Sequence, residues 1–154
     1  MDIKKYGDSF AIGSFKNVVI NVLRGNPGVS SFNHIIEHTR EVARSYPERQ
    51  YVINIMQRGA FLPSAEERKV LGEKRAELEA VGKVTNMFVI EATGFISASF
   101  RAVVAGVSFL ASKQQLMFAT TDDAIKSLVQ DLPIGDRLAY TEGLRKAIEE
   151  IRKA

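Results

Sequence analysis

Tyr51-Val52-Ile53-Asn54-Ile55-Met56 holds one polar side chain in six residues, the near-continuous apolar run expected of a strand covered on both faces rather than half exposed to water. Upstream of it, Phe32, Ile35, Ile36, Thr39, Val42, Ala43 and Tyr46 recur at helical spacing, and Pro47 closes the segment. The spacing predicts a helix over about Ser31 to Tyr46. Downstream, Ser64-Ala65-Glu66-Glu67 matches a capping box, in which hydroxyl and carboxylate each satisfy a free backbone donor, and predicts a second helix from Ser64 to near Gly82. A strand with a helix on each side places this stretch inside an α/β sheet.

Working outward, Asp8 to Ile12 and Asn17 to Leu23 read as a hairpin joined by Gly13-Ser14-Phe15-Lys16. Val84 to Glu91 reads as another buried strand, followed by a helix from about Ser97 to Ser112. That helix is apolar almost all round, with Phe100, Val103, Val104, Val107 and Leu110 on one face and Ala102, Ala105, Gly106 and Phe109 on the other. Something must bury it, and cover within the chain by the last helix is favoured over a second copy. A short strand from Gln115 to Ala119, a helix from Ala124 to Leu132 after a second capping box, and a last helix from Asp136 to Lys153 complete the chain. The last helix carries Leu138, Leu144, Ile148 and Ile151 on one stripe, with Glu142/Lys146 and Glu149/Lys153 pairs suited to an exposed face. The expected architecture is α/β, a mixed, mostly parallel five-stranded sheet in the order β-β-α-β-α-β-α-β-α with an added C-terminal helix.

Composition bounds function from the other side. The 154 residues, 45% hydrophobic and 25% charged, suit one ordinary globular domain with its own core. With no cysteine there is no disulfide framework, thiol nucleophile or thiolate metal site, and a reducing cytoplasm is the expected compartment. The 21 basic and 18 acidic residues give a net charge of +3, but the basic ones are scattered, so no nucleic-acid footprint is expected. No signal-peptide-like stretch follows Met1, and the run from Phe95 to Ala111 is too short and too polar to span a bilayer.

The element order, the buried runs Val18 to Leu23 and Val52 to Met56, the Gly94-Phe95 entry to a small-residue helix and the closing Met117-Phe118-Ala119-Thr120-Thr121-Asp122-Asp123-Ala124 resemble the SpoIIAA-like, or STAS-like, family over about residues 8–132. The last helix falls outside the resemblance. Such domains are similar to anti-sigma-factor antagonists, which have no chemistry of their own and dock on a protein partner, some under serine phosphorylation. The resemblance implies a non-enzymatic cytoplasmic interaction module without cofactor, with an unidentified protein partner and a homodimer as the expected assembly. The regulated serine of the family opens the second helix in an Asp-x-Ser context. Here Gln57 to Ser64 lacks that context, and capping alone explains Ser64. The docking surface implied for this chain is the stretch from Arg58 to Glu67, Ser64 included, joined by the Gly94-Phe95 loop.

Three other constellations stand out in the sequence. His34-Ile35-Ile36-Glu37-His38 spells H-x-x-E-H, an inverted zinc-peptidase signature, but the core stripe of this helix leaves His34 and Glu37 toward solvent and His38 at the boundary. A solvated helix face is the expectation there, and no metal is assigned. Ligands of open α/β sheets lie beyond the carboxyl ends of the strands, so a small-molecule or enzymatic site on Arg58, Glu91 and Thr93, with Arg24, Asn26, Thr120 and Asp122 nearby, is the alternative function. No glycine-rich dinucleotide motif, P-loop or hydrolase elbow occurs. Finally, Asn21, Asn54 and Asn86 fall inside apparent strands, where edge positions or backbone hydrogen bonds are expected to satisfy their amides.

Overall fold

The computed structural model describes residues 2–26, 28–60, 62–109 and 116–154; the side chains of residues 95 and 106–109 fall outside that description. The elements run β1 (Ile3–Tyr6), β2 (Phe10–Phe15), β3 (Val18–Leu23), α1 (Ser30–Ser45), β4 (Gln50–Met56), α2 (Ala65–Glu79), β5 (Val84–Ile90), α3 (Gly94–Phe109), β6 (Leu116–Phe118), α4 (Thr121–Val129), a 3-10 turn (Ile134–Asp136) and α5 (Arg137–Lys153). The expected ends at Gln115 and Ser112, the turn residue Pro27, and Phe61 of the docking stretch lie outside the described residues.

Among the described residues six strands form one sheet in sequence order, β1-β2-β3-β4-β5-β6. The α/β class stands, and β3 to β6 are parallel, while β1 and β2 add an antiparallel half. Six strands replace the five expected. The extra one, β1, reads Ile3-Lys4-Lys5-Tyr6 and pairs on one side only, with β2. An edge strand needs no apolar run, and lysines on it suit an edge exposed to water, so its sequence carries no buried-strand signal. The hairpin turn also sits later than expected: β2 continues through Gly13-Ser14-Phe15, and the turn falls at Lys16-Asn17, with Lys16 at φ 50°. Asn17 anchors this turn by donating to Arg49 O at 3.0 Å and accepting from Tyr51 N through its carbonyl at 2.9 Å.

Strand alternation sorts the core into two layers. Val18, Ile20 and Val22 of β3, Tyr51, Ile53 and Ile55 of β4, and Met87 and Val89 of β5 pack under α4 and α5. The intervening Val19, Val52 and Val84 pack with Ile35, Ile36 and Val42 of α1 and Leu78 of α2. At the end of that second face, Phe100 of α3 meets Ile90 and Ala92. Right-handed crossovers between successive parallel strands put α1, α2 and α3 on the same side. The cover expected for α3 from the last helix therefore does not form, because α5 lies on the opposite face; α3 keeps Ile96 exposed.

The last helix contributes Tyr140, Leu144, Ala147, Ile148 and Ile151 to the larger core. Leu138, expected on that stripe, is 71% exposed instead. Tyr140 and Ala147 fill the stripe in its place, the latter against a sheet that the helix approaches closely at two glycines. A Cβ on Gly143 would sit 2.5 Å from Phe15 Cζ, and one on Gly13 would sit 2.8 Å from Ile151 Cδ1. Phe15 cannot swing away easily, since its ring meets Tyr140 edge-on at 5.4 Å. Gly143→Leu is expected to cost about 1–3 kcal/mol by overpacking, whereas Gly135→Ala, with open space around it, changes stability by less than about 0.5 kcal/mol. Urea denaturation of the two variants tests this; equal midpoints would mean that α5 does not pack on β2 as described.

Candidate functional site

The carboxyl ends of the parallel strands gather most of the polar residues singled out from the sequence, and the fold itself uses most of them. Glu91, just past β5, receives two hydrogen bonds from the Arg152 guanidinium of α5, one of 3.0 Å from Nη1 and one from Nη2. Arg24, just past β3, donates through Nη2 to Ile151 O at 3.1 Å and Arg152 O at 2.7 Å. A cation on the last carbonyls of a helix satisfies acceptors that have no partner within the helix and meets the negative end of its dipole. Asp122 holds Arg145 of α5 at 3.0 Å. Thr120 accepts from Asp123 N at 3.1 Å and caps α4.

Ser64 and Glu67 form the reciprocal capping box read from the sequence, each bond 3.2 Å long. Asn26 accepts from Gly28 N at 3.1 Å and closes its own turn. The Arg58–Glu91 pair considered for ligand recognition does not form: Glu91 is taken by Arg152, while Arg58 is exposed and has no ion pair among the described residues. Thr93 and Gly94 are exposed, and Gly94 adopts φ 65° at the start of α3. What remains between these groups is an open hollow of about 550 Å³ lined by Gln57, Arg58, Glu91, Ala119, Thr120 and Thr121.

The H-x-x-E-H string lies where β1 crosses α1, an element the sequence did not reveal. His34 stacks on Tyr6 with ring centroids 3.8 Å apart, and Glu37 is exposed. His38, expected at the boundary, is 5% exposed and its Nδ1 has no hydrogen-bond partner. Burial, with Lys4 of β1 adding to it, holds the His38 imidazole below its ordinary value; Glu41, whose carboxylate lies 3.8 Å away, and Asp2 pull weakly the other way. No group of three or more His, Cys, Asp or Glu placed to hold a metal ion occurs among the described residues.

A second polar group lies on the α1–α2–α3 face of the sheet. Asn21 donates to Asn54 Oδ1 at 2.9 Å, and Asn54 donates to Asn86 Oδ1 at 2.6 Å and to Met87 O at 3.2 Å. The strand asparagines are thus on central strands rather than at edges; they bond one another side chain to side chain, Asn54 adds the expected backbone bond to Met87 O, and Asn21 Oδ1 is left without a partner. Near them Arg75 of α2 is 2% exposed and donates through Nε to Glu79 at 3.1 Å. Asn54, Asn86 and Arg75 adjoin an apolar cavity of about 70 Å³. Arg75 stands in a helix charged on most sides, Glu66-Glu67-Arg68-Lys69 through Glu79, so nothing in the sequence separates it from its solvated neighbours.

Two outcomes follow from this geometry. Glu91→Gln is expected to cost about 1–3 kcal/mol, between the values for exposed and for fully buried pairs, and a double-mutant cycle with Arg152→Met should show that most of it is coupling. Additive effects would detach α5 from Glu91. For His38, the folded state favours the neutral ring, so its contribution is complete above the unfolded value of about 6.5 and is lost as pH falls below it. Wild-type stability measured from about pH 7.5 down to about pH 5 should fall more than that of His38→Gln; parallel curves would contradict the buried neutral imidazole.

No family model matches the chain, and neither a curated protein nor a solved structure matches it.

Proposed function

We propose that the chain is a non-enzymatic, STAS-like cytoplasmic module that docks a protein partner, a second copy of itself included, on the lip formed where β4 and β5 run into α2 and α3. The observation that carries this reading is the spending of polar groups at that end of the sheet. Glu91, Arg24, Asp122, Thr120, Ser64 and Glu67 all serve α5, α4 or α2. An acid, base or nucleophile already committed to holding an element has little freedom to act on a substrate.

The same end presents apolar and cationic surface suited to contact. Leu62 is 37% and Ile96 45% exposed, and Arg58 is free of ion pairs among the described residues. The two loops touch, since Ala60 packs against Ile90, Ala92 and Phe100. Gly59 at φ 91° approaches Arg24 O to 3.1 Å at its Cβ position, so the loop carrying Arg58 is fixed to the strand end rather than free to fold away. Arginine is enriched at the centre of protein interfaces, where charged residues are otherwise few and the core of the patch is apolar. No helix among the described residues is long and apolar enough to cross a membrane. The alternative, a small-molecule site in the hollow beside Glu91, is disfavoured by the Arg152 guanidinium that already occupies the Glu91 carboxylate.

Arg58→Glu and Leu62→Asp are each expected to lower recovery of the partner in chemical crosslinking from host extract by about tenfold, with the thermal midpoint within about 2 °C of wild type. A swap at Glu67 is a poorer probe because its carboxylate accepts from Ser64 N. Undiminished recovery with both variants would move the docking surface elsewhere.

A further inference from the structure

The helical cover of the sheet is incomplete over β5. On the face where Val84 packs with α1 and α2 and Ile90 meets Phe100 of α3, the side chains between them, Asn86 and Phe88, are only half-buried although the strand is central. Leu71 of α2 and Val103 of α3 are half-buried too, whereas Ile35, Phe100 and Val104 are buried. Among these side chains lies the apolar cavity of about 70 Å³, to whose walls α1, α2, α3, β3, β4 and β5 all contribute. The half-buried walls place its mouth along the seam of α2 and α3 above Phe88.

The walls decide what such a space can hold. It is several times larger than the ~10–15 Å³ one water needs, but a water inside would also need two to four polar partners. The polar side chains that border it are engaged with one another or with the backbone. Asn54 accepts from Asn21 and donates to Asn86 Oδ1 at 2.6 Å and to Met87 O at 3.2 Å, and Arg75 donates to Glu79 at 3.1 Å. The remaining walls are hydrocarbon, the condition under which cavities stay dry and take apolar molecules. A hydroxyl or carboxylate carried inside would shed its water against side chains already bonded, so the cavity selects against polar molecules of the same length. Its volume is roughly half the ~150 Å³ that admits benzene, which limits an occupant to about four carbons.

We infer that this cavity binds a small uncharged apolar molecule, a hydrocarbon of up to about four carbons, held between α2, α3 and β5. Arg58 and Leu62, the positions that test the docking lip, are not among its walls, so failure of either reading leaves the other untouched.

Methyl-resolved NMR of the full chain, titrated with n-butane under pressure, 1-propanol and benzene, tests it. Butane is expected to shift the methyl signals of Met56, Leu71 and Val104 saturably, with a Kd about tenfold below that of 1-propanol, its equal in heavy atoms, while benzene leaves them in place. Leu71→Ala, which cuts back a half-buried wall, should admit benzene and still bind butane. Val104→Met, which fills the cavity, should raise the butane Kd at least about fivefold; if that variant does not fold, the benzene gained by Leu71→Ala decides alone. Absence of saturable butane shifts, or shifts at exposed Ile96, Ile134 and Leu138 in place of the walls, would mark an empty packing void and overturn the site. Propanol binding as tightly as butane overturns the apolar selectivity, and a Leu71→Ala chain that still refuses benzene overturns the placement between α2 and α3.

Discussion

The attachment of the α5 C-terminus to the strand ends is the constraint on which the rest of the molecule depends. Arg24 from β3 closes the last carbonyls of the helix, and Arg152 reaches back to Glu91 beyond β5, so one helix end is held by residues 128 and 61 positions away in the chain. Leu144, Ile148 and Ile151, each 0–1% exposed, are placed by this attachment. Burial of each is worth about 1.5–3 kcal/mol, and the three together are comparable with the whole net stability of a domain, about 5–15 kcal/mol. Without α5 the face carrying Ala11, Ile20, Ile53 and Met87 would lack its principal cover.

That arrangement has a functional consequence. In open α/β sheets the strand carboxyl ends are the usual place for chemistry. Here the groups at that place close the second layer, and the surface that remains is apolar and cationic at Leu62, Ile96 and Arg58. Structural duty and catalytic duty compete for the same few side chains, and a guanidinium–carboxylate pair with both oxygens engaged is poorly placed to exchange protons. The opposite end of the sheet is built differently, with Arg75 and Asn86 bordering both an apolar cavity and a charged cleft.

How much of this was legible depends on whether a residue's environment is set locally. Buried strands β3, β4 and β5 announce themselves because both faces must be apolar, and α2 is announced by a capping box whose two bonds involve residues three apart. β1 was hidden because an edge strand obeys no such rule, and with it went the cover that buries His38 and stacks Tyr6 on His34. The hairpin was displaced because Lys16-Asn17 is not the glycine-bearing pair that a two-residue turn favours; long-range bonds from Asn17 to Arg49 and Tyr51 hold it instead. Glu91 was recognised as a strand-end carboxylate, but its partner stands 61 residues later on a helix whose placement only packing decides.

The asparagine ladder shows the same division at the centre of the sheet. Each net hydrogen bond contributes about 0.5–1.5 kcal/mol, while a buried acceptor without a partner, as Asn21 Oδ1 is, costs about 1–3 kcal/mol. Three apolar side chains of similar volume would therefore hold the layer at least as firmly. What they would not supply is direction. In parallel strands rich in valine and isoleucine, Val19 and Val52 would pack about as well after a shift of two residues, whereas the amides of Asn21 and Asn54, level with each other in β3 and β4, would part; Asn86, level with Val52, is reached from Asn54 diagonally. The level pair gives up a little stability to make β3 and β4 align one way, while Asn54 and Asn86 carry the polar line on to the edge of the apolar cavity.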